Sequence, residues 1–327
     1  MTTAIISGAS EIARQLAAME SGCSVYDLSS RAKIRLTGPD RVRWLNGMVT
    51  NNVRDLALNH GAYCFLLNAQ GRIQGDLYVY NLGDALLLDT DEGQRENMLA
   101  HFDKFIVMDD VEVADISSTL IAVGLAGPKA QDALRAAGIQ TPDLAPLEVC
   151  TPKCECDCNC VQCTVIRGDD PSGNTYETWL APDQVKPTRD ALLKAGATVA
   201  SAETLEQRRI QQGIPRFGVD IRDRDLPQET GQDRALNFTK GCYLGQEIVE
   251  RIRSRGNVHR MFAKFAISGG ELISGIKILC GEKEVGEITS VASFPSAGGE
   301  TLALGYVRRE FANKDLIAGG AIVRLRP

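Results

Sequence analysis

The sequence predicts an α+β fold that ends in a small antiparallel β-barrel, and three observations carry that reading. A strand–turn–helix phrase recurs three times, a long stretch alternates apolar and polar residues, and the character of the chain changes after about residue 260. The recurring phrase is "RLTGPDRVRWLNGM" from Arg35, "GLAGPKAQDALRAAG" from Gly124 and, more loosely, "WLAPDQVKPTRDALLKAG" from Trp179. Each copy reads as an apolar strand end, a small-residue turn, a proline suited to a first helical turn, and an amphipathic segment. Three such units imply repeated α+β halves and not a doubly wound parallel sheet.

Between the first two copies, "GAYCFLLNAQGRIQGDLYVYNLGDALLLDT" alternates with turns at residues 68–71 and 81–84, as an antiparallel meander does. "QRENMLAHFDKFI" follows with helical spacing. After residue 260, "RMFAKFAI", "GIKILC", "EVGEITSVASF", "TLALGYVRR" and "AIVRLRP" are short strand-like runs separated by glycine-rich turns, the pattern of a small barrel. The predicted division is residues 1–257 as two interleaved α+β lobes, with a cysteine-rich hairpin at 150–163, and residues 258–327 as the barrel.

The chain has 327 residues, 44% of them hydrophobic, enough for ordinary cores in two or three domains. With 36 basic and 42 acidic side chains the net charge is −6, which argues against direct nucleic-acid binding through bulk electrostatics. The first twenty residues lack the basic and apolar regions of a signal peptide, and no run of about 18 apolar residues could span a bilayer. A soluble cytoplasmic protein with no membrane partner is expected, its ten cysteines reduced unless they bind metal or do redox work. The phosphate loop G-x-x-x-x-G-K-[ST], the dinucleotide fingerprint G-x-G-x-x-G and the zinc motif H-E-x-x-H are all missing. His60, His101 and His259 are too scattered in sequence to suggest a metal cluster.

"NFTKGCYLGQEIVERIRSRG", residues 237–256, sets Cys242 between Lys240 and a run that starts a helix near Gly245. A thiol works as thiolate, and a neighbouring ammonium or helix N-terminus lowers its pKa. Gly241 and Gly245 permit backbone shapes and close approaches that a side chain forbids. Taken alone, the residues leave Cys242 balanced between reactive thiol and inert small hydrophobe. The run Arg251, Arg253, Arg255, His259 and Arg260 reads as a solvated helix face with a charged linker, or else as a docking patch for an anion, an acidic partner or RNA. "CTPKCECDCNCVQC" gathers Cys150, Cys154, Cys156, Cys158, Cys160 and Cys163 within fourteen residues. Its readings are a structural or incidental hairpin loop, a zinc, copper(I) or iron–sulfur site, and a redox segment.

Lys240-Gly241-Cys242-Tyr243-Leu244-Gly245-Gln246-Glu247 resembles the K-G-C-[FY]-x-G-Q-E signature of the YgfZ-type folate-binding proteins, relatives of the glycine-cleavage T-protein. "VYDLSSRAKIRLTGPDRVRWLNGMVTNNV", "RRIQQGIPRFGVDI" and "VGEITS" are similar to the family's landmarks elsewhere in the chain. The resemblance implies two ferredoxin-like α+β lobes and a C-terminal β-barrel in a cloverleaf around a folate-sized hole. It further implies tetrahydrofolate or a derivative as ligand, and iron–sulfur client or assembly proteins as partners. The function it implies is support of iron–sulfur enzyme assembly or repair, with an indirect link to tRNA modification and with Cys242 as the working thiol. In that reading Lys240 favours the thiolate, and Gln246 and Glu247 orient the loop or bind the partner.

The T-protein side of the resemblance implies an alternative, a folate-dependent aminomethyltransferase. A metal-carrying module built on the cysteine-rich hairpin is a further alternative. By resemblance, Glu177 in "NTYETWL" matches the T-protein's pterin-binding glutamate, Arg209 in "RRIQQG" its arginine, and Asp76 in "GRIQGDLYVY" its catalytic aspartate. A pterin needs a carboxylate that accepts two N–H donors, and a glutamyl tail needs cations. Without the resemblance, Glu177 and Asp76 read as exposed strand carboxylates and Arg209 as a helix-surface charge. Two departures stand out: the T-protein has a tyrosine and a glycine-rich turn before its glutamate where this chain has "DDPSGNTYETW", and T-proteins lack the Lys-Gly-Cys signature.

Overall fold

A computed structural model describes residues 2–152, 163–256, 258–294 and 299–326, the side chains of residues 2–9 apart. The chain opens with helix α1 (Thr2–Ser21), followed by strands β1 (Ser24–Asp27) and β2 (Arg31–Thr37) and helix α2 (Arg41–Met48). The meander expected from the alternation is present as β3 (Gly61–Leu67), β4 (Ile73–Asn81) and β5 (Leu86–Asp91), with turns where the sequence places them. Helix α3 (Arg95–Phe105), strands β6 (Glu112–Asp115) and β7 (Ile121–Ala126) and helix α4 (Ala130–Ala136) come next. Then follow β8 (Val149–Cys150), β9 (Cys163–Arg167), β10 (Thr175–Leu180), α5 (Pro182–Lys194), β11 (Thr198–Val199) and α6 (Ala202–Gln212). Helix α7 (Gln246–Arg255) precedes the last six strands, β12 (Arg260–Ser268), β13 (Lys277–Cys280), β14 (Lys283–Phe294), β15 (Glu300–Arg308), β16 (Leu316–Ala318) and β17 (Ala321–Arg326).

All three repeated phrases are strand–turn–helix units, but the proline does not do the same job in each. Pro182 starts its helix, the position where its missing N–H costs nothing. Pro39 and Pro128 lie two residues ahead of theirs, before Asp40 and Lys129, and shape the turn.

Contacts gather the chain into two compact units, one of residues 1–13, 65–75 and 203–327, the other of residues 14–64 and 76–202. In the second unit, a sheet of order β3-β4-β5-β2-β6 faces one of order β11-β1-β7-β10-β9-β8. β1 pairs parallel with β11, whereas β1 with β7, β7 with β10, β10 with β9, β9 with β8, β2 with β5 and β6, and β4 with β5 pair antiparallel. Tyr80 and Leu87 from one sheet meet Ala122, Val149, Ile166 and Trp179 from the other in a shared apolar layer. The outer face of the six-stranded sheet packs on α4 and α5 through Leu125, Leu134, Val165 and Leu192.

In the first unit, the six strands from Arg260 to Arg326 close into an antiparallel barrel of order β12-β15-β14-β13-β16-β17. Phe265, Ile278, Ile288, Ala303 and Val307 fill its interior. Five of these strands are read from the sequence; the sixth, β16, is only three residues long, too short to show an alternation.

Candidate functional site

In the second unit, β4 sends Asp76, Tyr78 and Tyr80 to one face because they alternate along a strand, and the cross-strand register adds neighbours to them. Asp89 of β5 stands opposite both Tyr78 of β4 and Lys33 of β2. Lys33 is fully buried and Asp89 only 1% exposed, with Nζ and Oδ1 2.7 Å apart. Arg31 Nε donates to the same oxygen at 3.0 Å. Burial alone opposes the Asp89 charge, but Arg31 and Lys33 outweigh it and hold its carboxyl below the usual carboxylate range.

From the opposing sheet, β10 directs Glu177 and Trp179 toward this cluster. Trp179 Nε1 donates to Glu177 at 3.0 Å, and Lys33 Nζ lies 5.1 Å from the Trp179 ring centroid. Burial first, and then the charge of Asp89, push the Glu177 carboxyl up, with Lys33 and Arg31 opposing. Burial opposes the charge on Arg31, which Asp89, Glu177 and Asp76 all favour, and its pKa ends raised. The exposed-carboxylate reading of Glu177 therefore fails: it is a half-buried acid set between two cations and a second acid.

Asp76 is also held. Its carboxylate accepts from Tyr63 Oη at 2.6 Å and from Gln94 Nε2 at 2.7 Å. Its N–H donates to Gln94 Oε1 at 2.9 Å, and its carbonyl accepts from Thr90 at 2.7 Å. An aromatic file leads from Asp76 toward Glu177: Tyr63 to Tyr78 at 5.0 Å, Tyr78 to Tyr80 at 6.3 Å, and Tyr80 to Trp179 at 5.1 Å between ring centroids. Arg31, Lys33, Asp89, Tyr63 and Gln94 are the residues that sequence reasoning missed. The signal was there in "RAKIRLT" and "LLLDTD", strands whose charges fall on one parity, a pattern that ordinarily marks a solvent face.

Arg209 lies in the first unit, on α6. All five of its N–H donors are engaged: Nε and Nη2 with Glu206, Nη1 with Asp220 and the Ile214 carbonyl, Nη2 also with Ser290. Its side chain is 13% exposed, so it is not a helix-surface charge. These bonds spend its donors and tie α6 to Asp220 and to the barrel strand that carries Ser290.

The Lys240–Glu247 turn is in the same unit. Asn237 Oδ1 accepts from the N–H groups of Thr239 and Lys240, both at 2.9 Å. Gly245 caps α7 with φ +83°, and a Cβ there would fall 2.5 Å from the Asn68 carbonyl oxygen. A Cβ on Gly71 would meet Ile248 at 2.8 Å, so these two glycines let the β3–β4 turn press on the start of α7. Cys242 is exposed. Tyr243 is buried, its hydroxyl has no hydrogen-bond partner among the described residues, and burial pushes its pKa up to about 12. Lys240 is also buried, its Nζ 5.0 Å from the Tyr243 ring centroid. Gly241 and Glu247 are exposed, and Gln246 is half-buried in the first turn of α7.

Of the six clustered cysteines, Cys154, Cys156, Cys158 and Cys160 lie outside the described residues. Cys163 is a core residue under α4 and α5, and Cys150 packs against the same cluster. Burial pushes the Cys163 thiol up to about 11 and raises that of Cys150 as well. Among the described residues, no group of three or more His, Cys, Asp or Glu is placed to hold a metal ion. None of the described helices is long and apolar enough to cross a membrane.

The model of the GCVT N-terminal domain family matches residues 7–240. The chain belongs to this family. An aminomethyltransferase of Rubrobacter xylanophilus is 26% identical over 90% of this chain and 78% of its own length. One from Herpetosiphon aurantiacus is 26% identical over 89% and 80%. The crystal structure of glycine cleavage system aminomethyltransferase T from Bartonella henselae superimposes with a TM-score of 0.84, at 18% identity, covering 95% of this chain and 87% of that one. The GCVT family's α+β fold with a closed C-terminal barrel is therefore the fold of this chain.

Proposed function

We propose that this GCVT-family chain binds a reduced folate at the Glu177 pocket, and that folate-dependent transfer of an aminomethyl group is its best-supported activity. The observation that carries the proposal is the setting of Glu177. It is an acid pushed toward its neutral form, one oxygen fixed by Trp179, beside ring faces that suit a flat heterocycle. An aminopyrimidine edge offers two N–H donors, which favour the carboxylate that burial disfavours, so ligand and acid stabilise each other. Relatives named aminomethyltransferase, matched over 90% and 89% of the chain, support the transfer chemistry.

In this reading Asp76 is the group that holds a proton at the reacting amine. Tyr63 and Gln94 fix its orientation and leave lone pairs for one more donor. Arg209 then acts through the fold and not on the folate tail. Aminomethyl transfer from an aminomethyl-lipoyl carrier to tetrahydrofolate tests the reading. Activity that falls with Asp76→Asn and Glu177→Gln supports it, and a pure protein without transfer removes it.

A second reading is favoured by one observation, the exposed Cys242 on a glycine-shaped turn. It is the YgfZ-like one, in which the folate-bound protein supports assembly or repair of iron–sulfur enzymes in contact with client or assembly proteins, and the thiol does the work. The two readings share the folate pocket and part at Cys242. Cys242→Ala should leave aminomethyl transfer intact and impair iron–sulfur enzyme activity in cells under oxidative stress; unaffected cells would dispose of the thiol reading.

A further inference from the structure

Within the first unit, two adjoining cavities of about 390 Å3 and 650 Å3 share Glu229, Val258 and His259. Leu226, Ile248, Ile252 and Val258 give the first an apolar floor. Arginines reach the pair from two separate segments: Arg251 and Arg255, one turn apart on α7, and Arg308 and Arg309 at the end of β15. The Arg309 N–H donates to the His259 carbonyl at 2.9 Å, which fastens the end of β15 beside the start of β12.

Charge here is unbalanced. The two cavities are lined by five arginines against two glutamates. One of the five, Arg260, is already committed, donating to Asp225 at 2.6 Å and Glu229 at 2.8 Å and lying 4.8 Å above the Tyr306 ring. Arg251, Arg255, Arg308 and Arg309 have no carboxylate partner among the described residues. A solvated helix face explains Arg251 and Arg255 but not the arrival of Arg308 and Arg309 at the same concave, apolar-floored place. Uncompensated guanidinium groups raise the local potential and favour an anion, and their planar forks match phosphate oxygens two at a time. The combined space is of the size that small ligands fill.

We propose that this cleft binds a phosphate ester of nucleotide size, its flat body on the Leu226–Ile248–Ile252–Val258 floor and its phosphates among the four free arginines. Several negative charges are required to balance four cations, which selects a di- or triphosphate over a monocarboxylate. His259, at the junction of the two cavities, is placed to donate as well.

Calorimetric titration of the full chain tests this with ATP, inorganic pyrophosphate and a short oligoglutamate peptide as probes, at low and moderate salt. The expected result is saturable one-to-one binding of ATP, weaker binding of pyrophosphate, which cannot use the floor, and affinity that falls as salt rises. Arg251→Gln and Arg309→Gln, on different segments, should each lower ATP affinity about tenfold at unchanged melting temperature, whereas Glu177→Ala should leave it unchanged. That last arm separates this site from the folate pocket. No saturable ATP binding, equal affinity in wild type and both variants, or oligoglutamate binding more tightly than ATP would each overturn the proposal, the last making the cleft a dock for an acidic partner.

Discussion

Lys33 and Asp89 face each other across neighbouring antiparallel strands with Nζ and Oδ1 2.7 Å apart, both sealed from solvent. Among the described residues Asp89 Oδ2 has no hydrogen-bond partner, so the carboxylate leans on Lys33 and Arg31 through its other oxygen. A buried pair adds little net stability over an apolar substitute, but removal of one member strands the other. Lys33→Ala should therefore cost about 3–5 kcal/mol. Urea unfolding measures it, and the double variant Lys33→Met with Asp89→Leu should recover only part of the loss, because it leaves Arg31 without the carboxylate it donates to.

Acid should expose the same pair. The folded-state pKa of Asp89 lies below its unfolded value of about 3.9. Its contribution is therefore fully present above that value and is lost as pH falls through the folded one. Melting temperature followed from pH 7 down to pH 3 should drop along a steeper acid limb in wild type than in Asp89→Asn.

Glu177 has the opposite sign. Its folded pKa is raised above the unfolded value of about 4.3, so the folded state prefers the neutral acid. The stability associated with that neutral form is present below the unfolded pKa and is lost as pH rises through the folded one. Glu177→Gln should therefore raise the melting temperature of the ligand-free protein at pH 8, with the gain vanishing near pH 4. A site that is stabilised by loss of its functional group is one kept for binding and not for folding.

Cysteine labelling should separate exposed from buried thiols. Cys242 is exposed, while Cys23, Cys64 and Cys163 are buried, and burial pushes Cys23 and Cys163 up to about 11. Iodoacetamide at pH 8 with peptide mapping should modify Cys242 well before those three, which should react only after denaturation. Early labelling of Cys163 would contradict its place in the core.

The turn ahead of α7 depends on Gly245. Alanine there must adopt φ +83° and place Cβ 2.5 Å from the Asn68 oxygen. Strain of this kind costs about 1–3 kcal/mol, and Gly245→Ala should show it in thermal unfolding together with faster proteolysis near the signature turn.

Much of the architecture was legible because it rests on periodicity. Alternation marks β4 and β5, and the three strand–turn–helix phrases mark β2 with α2, β7 with α4 and β10 with α5. The site was legible only where a family motif pointed. Glu177 resembles an ordinary strand carboxylate until the charges of the opposing sheet meet it, and Asp76 until Tyr63 and Gln94 close on it. Lys33 and Asp89 look like solvent-facing charges, because alternation shows that residues share a face but not what lies over it. Arg209 shows the limit from the other side: Glu206, one helical turn away, is a partner that spacing can suggest, but Asp220 and Ser290, which take further donors, are brought to it only by the fold. On the relatives' names, aminomethyl transfer carries more support than the iron–sulfur reading that the Lys240–Glu247 signature first brings forward.

The central claim is that Glu177 holds the folded protein's reduced folate. Equilibrium titration of tetrahydrofolate into wild type, Glu177→Gln and Glu177→Ala tests it most directly. The account predicts saturable binding to wild type and a loss of about tenfold or more in both variants, as expected for hydrogen bonds to a charged group, with the fold intact by circular dichroism. Undiminished affinity in either variant would contradict it.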